Sequence, residues 1–311
     1  LLTPVSYDSE NRFKVKTKEH IKPNLEGELS LTNPNGKMQA KFSLKEGGRL
    51  KSLHYKDKAV IADPENSAYS SHFAASILFP FANRIKEGKY TFEGKNFQLE
   101  SNEKNSANAI HGLVYNKHFQ LTNKYSNQDE CSISLVYEEQ NPPAGFPFAY
   151  AVELNYRLTD TAFELVIKVE NKSLQNFPFT LGWHPYFVVT NLNDCILEFD
   201  SLKRILFNQE QITIGITNGF APRPFPLKNP HLDDCFVLHD KKVSFKTPDY
   251  QIEFNNSNHS KYLQLYSPPN EERIAIEPMT GISDSFNNKK GMKVLNPNEV
   301  FVEKWKLNFI N

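Results

Sequence analysis

His184 and Glu277 are an imidazole and a carboxylate each followed at once by a proline, in His184-Pro185 and Glu277-Pro278. Such a pair can act on one substrate in opposite senses, one group giving a proton while the other takes one. The residues before each define how it is presented. From Phe177 to Phe187 every odd position is apolar, and the even ones carry Pro178, Thr180, Gly182, His184 and Tyr186. That is the alternation of a strand with one buried face. Phe177, Phe179, Leu181, Trp183 and Phe187 are therefore expected inside, and His184 on the other, more polar face. In Arg273-Ile274-Ala275-Ile276-Glu277, Ile274 and Ile276 share the buried face and Glu277 falls opposite. Proline removes a ladder donor and biases the preceding residue toward an extended form, so both strands are expected to end there. Periodicity leaves open whether the two strands are neighbours.

Strand alternation recurs along the chain. Ala151–Leu158 and Phe163–Val169 flank Thr159-Asp160-Thr161-Ala162, which reads as a hairpin. Ser132–Tyr137, Lys261–Tyr266 and Val300–Leu307 alternate in the same way, and long amphipathic helical patterns are scarce. Many short strands without a βαβ rhythm predict an all-β fold, a large antiparallel β-sandwich. No fixed-period repeat or low-complexity linker divides the chain, so residues 1–311 are expected to form one domain, with 1–27 as a peripheral N-terminal segment. The proline-rich stretch Asn218–His231 is expected to be a long ordered loop.

Composition narrows the partners. Lysine plus arginine (36) balances aspartate plus glutamate (36), which removes the attraction that nucleic acid or an anionic membrane requires. A small neutral substrate fits this balance. No apolar run reaches the length of a bilayer span, and the first residues lack a basic stretch followed by a hydrophobic one, although the chain begins without methionine and a removed leader stays open. Cys131, Cys195 and Cys235 are widely spaced and odd in number, which argues against a disulfide framework or a structural zinc and for a reducing, cytoplasmic compartment. Asn171-Lys172-Ser173, Asn255-Asn256-Ser257 and Asn258-His259-Ser260 match a glycosylation pattern too short to carry weight.

Several motifs, in order, resemble those of the aldose 1-epimerases, the galactose mutarotases. They are Pro80-Phe81-Ala82-Asn83-Arg84-Ile85, Asn108-Ala109-Ile110-His111-Gly112, His184-Pro185-Tyr186-Phe187, Leu232-Asp233-Asp234-Cys235-Phe236, and Glu277 followed by Asp284-Ser285-Phe286-Asn287. The similarity runs from the Gly47-Gly48-Arg49-Leu50 turn to Leu295-Asn296-Pro297-Asn298-Glu299. The resemblance implies a β-sandwich with a sugar-binding cleft on one face and no cofactor or metal. It implies that Glu277 is the general base that removes the anomeric hydroxyl proton, and His184 the general acid that protonates the ring oxygen. Arg84, His111 and Asp233 match positions that hold the sugar, joined by Asn83, Tyr186 and Gln264; the spacing to Phe236 selects Asp233 over Asp234. Two departures, Leu113 after His111-Gly112 and Pro278-Met279 after Glu277, bear on sugar preference more than on reaction type.

An ionised glutamate (ordinary pKa about 4.3) and a partly protonated histidine (about 6.5) are the states this direction of transfer needs at neutral pH. The function expected is interconversion of the α and β anomers of a free hexose such as glucose or galactose. Alternatives are a hexose 6-phosphate mutarotase, which would want clustered basic groups at the cleft mouth, and a non-catalytic sugar-binding protein, which needs no opposed acid and base. A glycosidase normally uses two carboxylates. His54, His72, His118, His231, His239 and His259 have no comparable setting and are expected to be structural or solvated.

Overall fold

Alternation of side chains becomes antiparallel pairing throughout the computed structural model, which describes residues 21–23, 27–64, 67–219, 223–225, 227, 232–257 and 259–310. Among the described residues, nineteen strands join in one hydrogen-bonded sheet that folds over on itself, with three two-stranded sheets beside it. One layer runs through Gln120–Ser126, Cys131–Glu139, Tyr150–Leu158, Ala162–Asn171, Val300–Ile310 and Gln251–Asn256. The other runs through Glu28–Thr32, Met38–Ser43, Arg49–Tyr55, Lys58–Ala62, Tyr186–Val188, Arg273–Met279 and Tyr262–Tyr266. The long strand Asp233–Lys246 belongs to both. Its first residues pair with Tyr262–Tyr266 and its last with Gln251–Asn256.

Aromatic residues from the two layers fill the space between them: Phe42 packs on Tyr156 at 4.5 Å, Tyr55 on Phe309 at 4.0 Å, and Trp183 on Trp305 at 6.2 Å between ring centroids. This is the expected all-β sandwich. The predicted hairpin forms between Tyr150–Leu158 and Ala162–Asn171, with the Thr159 hydroxyl accepting from the Ala162 N–H at 3.0 Å in the turn. Of segment 1–27, Ile21–Pro23 pairs with Glu28–Thr32; residues 1–20 and 24–26 lie outside the described residues, as do 220–222, 226 and 228–231 of the Asn218–His231 stretch, and Asn258. The Asn171 amide of the first sequon is buried and donates to the carbonyls of Gln175 and Leu295, which makes it an internal brace.

Two expectations need correction. Phe177–Phe187 is broken into three short strands, Phe177–Phe179, Gly182–Trp183 and Tyr186–Val188, and the first belongs to a small separate sheet with Lys293–Leu295. The break follows from competing partners: the Thr180 N–H donates to the Pro80 carbonyl and the Thr180 hydroxyl accepts from the Ala82 N–H, so this backbone serves the neighbouring loop. The second strand does not end at Glu277, because Pro278 and Met279 remain within Arg273–Met279.

Parity nevertheless holds. Phe177, Phe179, Leu181, Trp183 and Phe187 all join the main core, and Trp183 stacks between Phe163 and Trp305. Trp183→Ala is expected to lower the unfolding free energy by about 3–5 kcal/mol. Leu174→Ala, at a side chain 95% exposed, is expected to change it by about 0.5 kcal/mol or less. Denaturant titrations giving equal losses would contradict this packing.

Candidate active site

The pairings on either side of the two prolines keep one register. Gly182 lies opposite Met279 and Tyr186 opposite Ala275, so within that frame His184 falls opposite Glu277, and residues directly opposite share a face. Their side chains meet, with His184 Nε2 at 3.4 Å from Glu277 Oε1. Pro185 stands opposite Ile276 and Pro278 opposite Trp183 in the same frame. Each lacks an N–H, and the regular ladder between the strands lapses at the level of the pair.

The His184 backbone is held from the other side. Its N–H donates to the Ser76 carbonyl at 3.1 Å and its carbonyl accepts from the Ala75 N–H at 2.7 Å. Ala75 and Phe73 have positive φ values of 52° and 50°, an uncommon conformation for side-chain-bearing residues. The row continues across the sheet through Gln264, opposite Glu277, to Cys235, opposite Gln264. Gln264 Nε2 donates to Asp233 Oδ1 at 2.6 Å, which draws the Asp233 carboxylate toward this row.

Arg84 lies in a two-stranded sheet in which it pairs with Ile110, and His111 follows directly after that partner strand. Asn83 and His111 both have positive φ, 59° and 61°, and the His111 N–H donates to the Asn83 carbonyl at 2.9 Å. Gly112 permits this close approach, because a Cβ there would lie 2.1 Å from the Phe79 carbonyl oxygen. The His111 ring stands edge-on to His184 at 5.1 Å and to Phe73 at 4.9 Å, while Tyr186 stacks on His184 at 5.0 Å. The structure thus gathers His184, Glu277, Asn83, His111, Tyr186, Asp233 and Gln264 on one side of the sheet. Arg84 reaches the same place through its charge, which acts on both Glu277 and Asp233.

His184 points away from the main core as parity predicts, yet it is not on an open face: it is 5% exposed, and Glu277 2%. Burial opposes the expected charge states. It holds the His184 imidazole down, to about 3, and pushes the Glu277 carboxyl well above its ordinary range, aided by Asp233 and opposed by Arg84. His111 is likewise kept neutral by burial and by its neighbour His184. Asp233 is raised to about 6, chiefly by burial. In a poorly solvated site the charged forms are disfavoured, so burial biases both members of the unliganded pair toward their neutral forms. Among the described residues, His111 Nδ1, His184 Nδ1 and Gln264 Oε1 are buried without a hydrogen-bond partner. Such polar atoms are rare inside proteins, and together they suit a ligand rich in hydroxyls.

Sequence reading gave no role to the supports. Glu103 pairs with Arg84 at 2.7 Å. Asp284, itself at φ 63°, donates its N–H to the Arg84 carbonyl and accepts from the Lys86 N–H at 3.0 Å, so the Asp284–Asn287 motif fixes the arginine strand from behind. His72, expected to be structural or solvated, is half-buried and close enough to His184 to oppose its protonation. Tyr266 packs edge-on against Tyr186 at 6.3 Å. Loop residues such as Glu103 leave no periodic signal; the strand position of Tyr266 was readable from its alternation.

The aldose 1-epimerase family pattern matches residues 28–308. The chain belongs to the aldose 1-epimerase family. The uncharacterized protein YphB of Escherichia coli (strain K12) is 27% identical over 142 residues, which is 46% of this chain and 46% of that relative, so the chain aligns with about half of the relative's length. A galactose mutarotase-like protein from Clostridium acetobutylicum superposes with a TM-score of 0.82 at 20% identity, over 91% of this chain and 95% of that one. Galactose 1-epimerase from Lactobacillus acidophilus NCFM superposes with a TM-score of 0.75 at 15% identity, over 91% and 94%. At these identities the likeness to the solved structures is one of fold. This aldose 1-epimerase family chain is built as a large antiparallel β-rich structure.

The burial of the pair has a direct spectroscopic consequence. In imidazole nitrogen NMR spectra, His184 is expected to stay neutral from pH 8 down to about pH 5, well above its lowered pKa. Titration of that ring at the ordinary value of about 6.5 would contradict the buried setting.

Proposed function

We propose that this protein is a mutarotase that interconverts the α and β anomers of a free hexose, acting through His184 and Glu277. The single observation that carries the reading is the 3.4 Å contact between a buried imidazole and a buried carboxyl, two proton carriers fixed side by side in a family of aldose 1-epimerases.

The proton count of the pair suits both halves of the reaction. Bound pyranose requires an ionised Glu277 and a protonated His184: the carboxylate takes the proton of the anomeric hydroxyl while the imidazolium gives one to the ring oxygen. The bond from C1 to the ring oxygen breaks, leaving an open-chain aldehyde over a protonated Glu277 and a neutral His184. Rotation about C1–C2 presents the other carbonyl face. Closure then runs in reverse, with His184 taking back the proton of the ring-forming hydroxyl and Glu277 returning one to the former carbonyl oxygen. Both states hold one proton in total, so the pair needs no exchange with solvent during turnover. Burial favours the neutral form, the one complementary to the aldehyde, and substrate hydroxyls contacting the pair stabilise the ionised form on pyranose binding.

Asn83, Arg84, His111, Tyr186, Asp233 and Gln264 are assigned to holding the sugar, supported by their gathering around the pair. The Arg84–Glu103 ion pair at 2.7 Å favours an uncharged hexose over a hexose 6-phosphate, because a carboxylate already neutralises the guanidinium. We read residues 1–311 as a single domain. Cys131, Cys195 and Cys235 are free and buried, which supports the proposal of a cytoplasmic setting. Among the described residues no helix is long and apolar enough to cross a membrane.

Polarimetry of freshly dissolved α-glucose and α-galactose tests the reading. The protein is expected to speed equilibration, and His184→Asn or Glu277→Gln to slow kcat by about 10²-fold or more. Rates unchanged in both variants would reject the assignment; calorimetric binding of sugar without any acceleration would make the protein a sugar-binding module.

A further inference from the structure

Glu103 lies in the loop between the Lys95–Gln98 and Ala109–Ile110 strands. One of its oxygens, Oε1, accepts from Arg84 Nε at 2.7 Å and lies 2.7 Å from Nη2. Its other oxygen, Oε2, accepts from the Asn108 amide at 3.3 Å, and its carbonyl accepts from the Ser106 N–H at 3.3 Å. Both side chains of the ion pair are 18% exposed, placing it at the boundary between the buried row and solvent. Arg84 Nη1 donates to Asn83 Oδ1 at 3.2 Å, and among the described residues the remaining guanidinium N–H groups have no other partner and can meet a ligand. The planar group is thus fixed on two sides.

We propose that Glu103 is a positioning and specificity residue that tunes Arg84 to uncharged sugars. The proposal deepens the mutarotase reading and rests on it for the location of the sugar. Two effects follow from the one contact. Orientation comes from the edge that Glu103 grips, which fixes the plane of the guanidinium and with it the aim of the uncommitted N–H groups, while the Arg84 charge is felt by both Glu277 and Asp233. Selection comes from charge: an anionic sugar approaching Arg84 meets a guanidinium already balanced by Glu103, with Asp233 beside it, so repulsion offsets much of the attraction. A neutral hexose loses nothing by this arrangement, since hydroxyl oxygens need only a well-aimed donor.

The test measures calorimetric affinity and polarimetric kcat/KM for a hexose and for the hexuronate that differs only in its C6 carboxylate. It uses the full chain as wild type, Glu103→Gln and Glu103→Asp. Glu103→Gln is expected to weaken hexose binding severalfold and to raise the hexuronate-to-hexose ratio, in affinity and in kcat/KM, by about tenfold at low salt, a gain that fades with added salt. Glu103→Asp, which keeps the charge, is expected to retain the wild-type ratio. Loss of packing alone would lower both sugars together and leave the ratio fixed. A ratio within twofold of wild type in Glu103→Gln would overturn the proposal. Wild-type protein that binds hexose without accelerating anomer exchange would instead overturn the mutarotase reading, and the affinity ratio would still decide the role of Glu103.

Discussion

The structure turns on one burial. An imidazole and a carboxyl, side by side on the second face of the sheet, are covered so completely that burial disfavours the charged form of each. A single sheet face cannot do this. Covering His184 takes the segment around Phe73–Ser76, whose backbone bonds directly to His184, and the His111 turn, whose ring packs against it. Those segments are held in turn by a left-handed backbone at Phe73, Ala75, Asn83 and His111 and by the close contact of Gly112 with Phe79. Uncommon backbone conformations gathered around one pair of proton carriers are the pattern expected where rigidity is used to keep a site in place.

The main core supplies the opposite constraint. Trp183, one residue before His184, is locked between Phe163 and Trp305, and Ile276, one residue before Glu277, is also fully buried. Because neighbouring residues of a strand point to opposite faces, a firmly packed Trp183 fixes the direction of His184, and Ile276 fixes that of Glu277. Core packing and site geometry are therefore coupled through single peptide units. The buried polar row has few ways to relax independently.

How much of this could be read from the chain depended on whether the signal was local. Alternation correctly assigned Trp183 to the core and put His184 and Glu277 on the other face, and the strand pattern led to the sandwich. The prolines marked the interrupted ladder, although their partnership across it emerged only from the register linking Gly182 to Met279 and Tyr186 to Ala275. The covering of the polar face was invisible, because it comes from non-alternating loops distant in sequence. With the cover went the charge states: ordinary pKa values suggested an ionised glutamate and a partly protonated histidine, and burial opposes both. Glu103 was missed for the same reason, being a loop carboxylate whose meaning lies in Arg84, a partner far enough along the chain that no spacing rule connects them.

A double-mutant cycle addresses the central claim, that His184 and Glu277 share one proton and act as one device. It compares kcat/KM for anomer exchange in His184→Asn, Glu277→Gln and the variant carrying both. If each residue works only through the other, the double variant is expected to fall within about threefold of the slower single variant, since groups that act together lose their effect once. Losses that multiply, as for independent residues, would contradict the account.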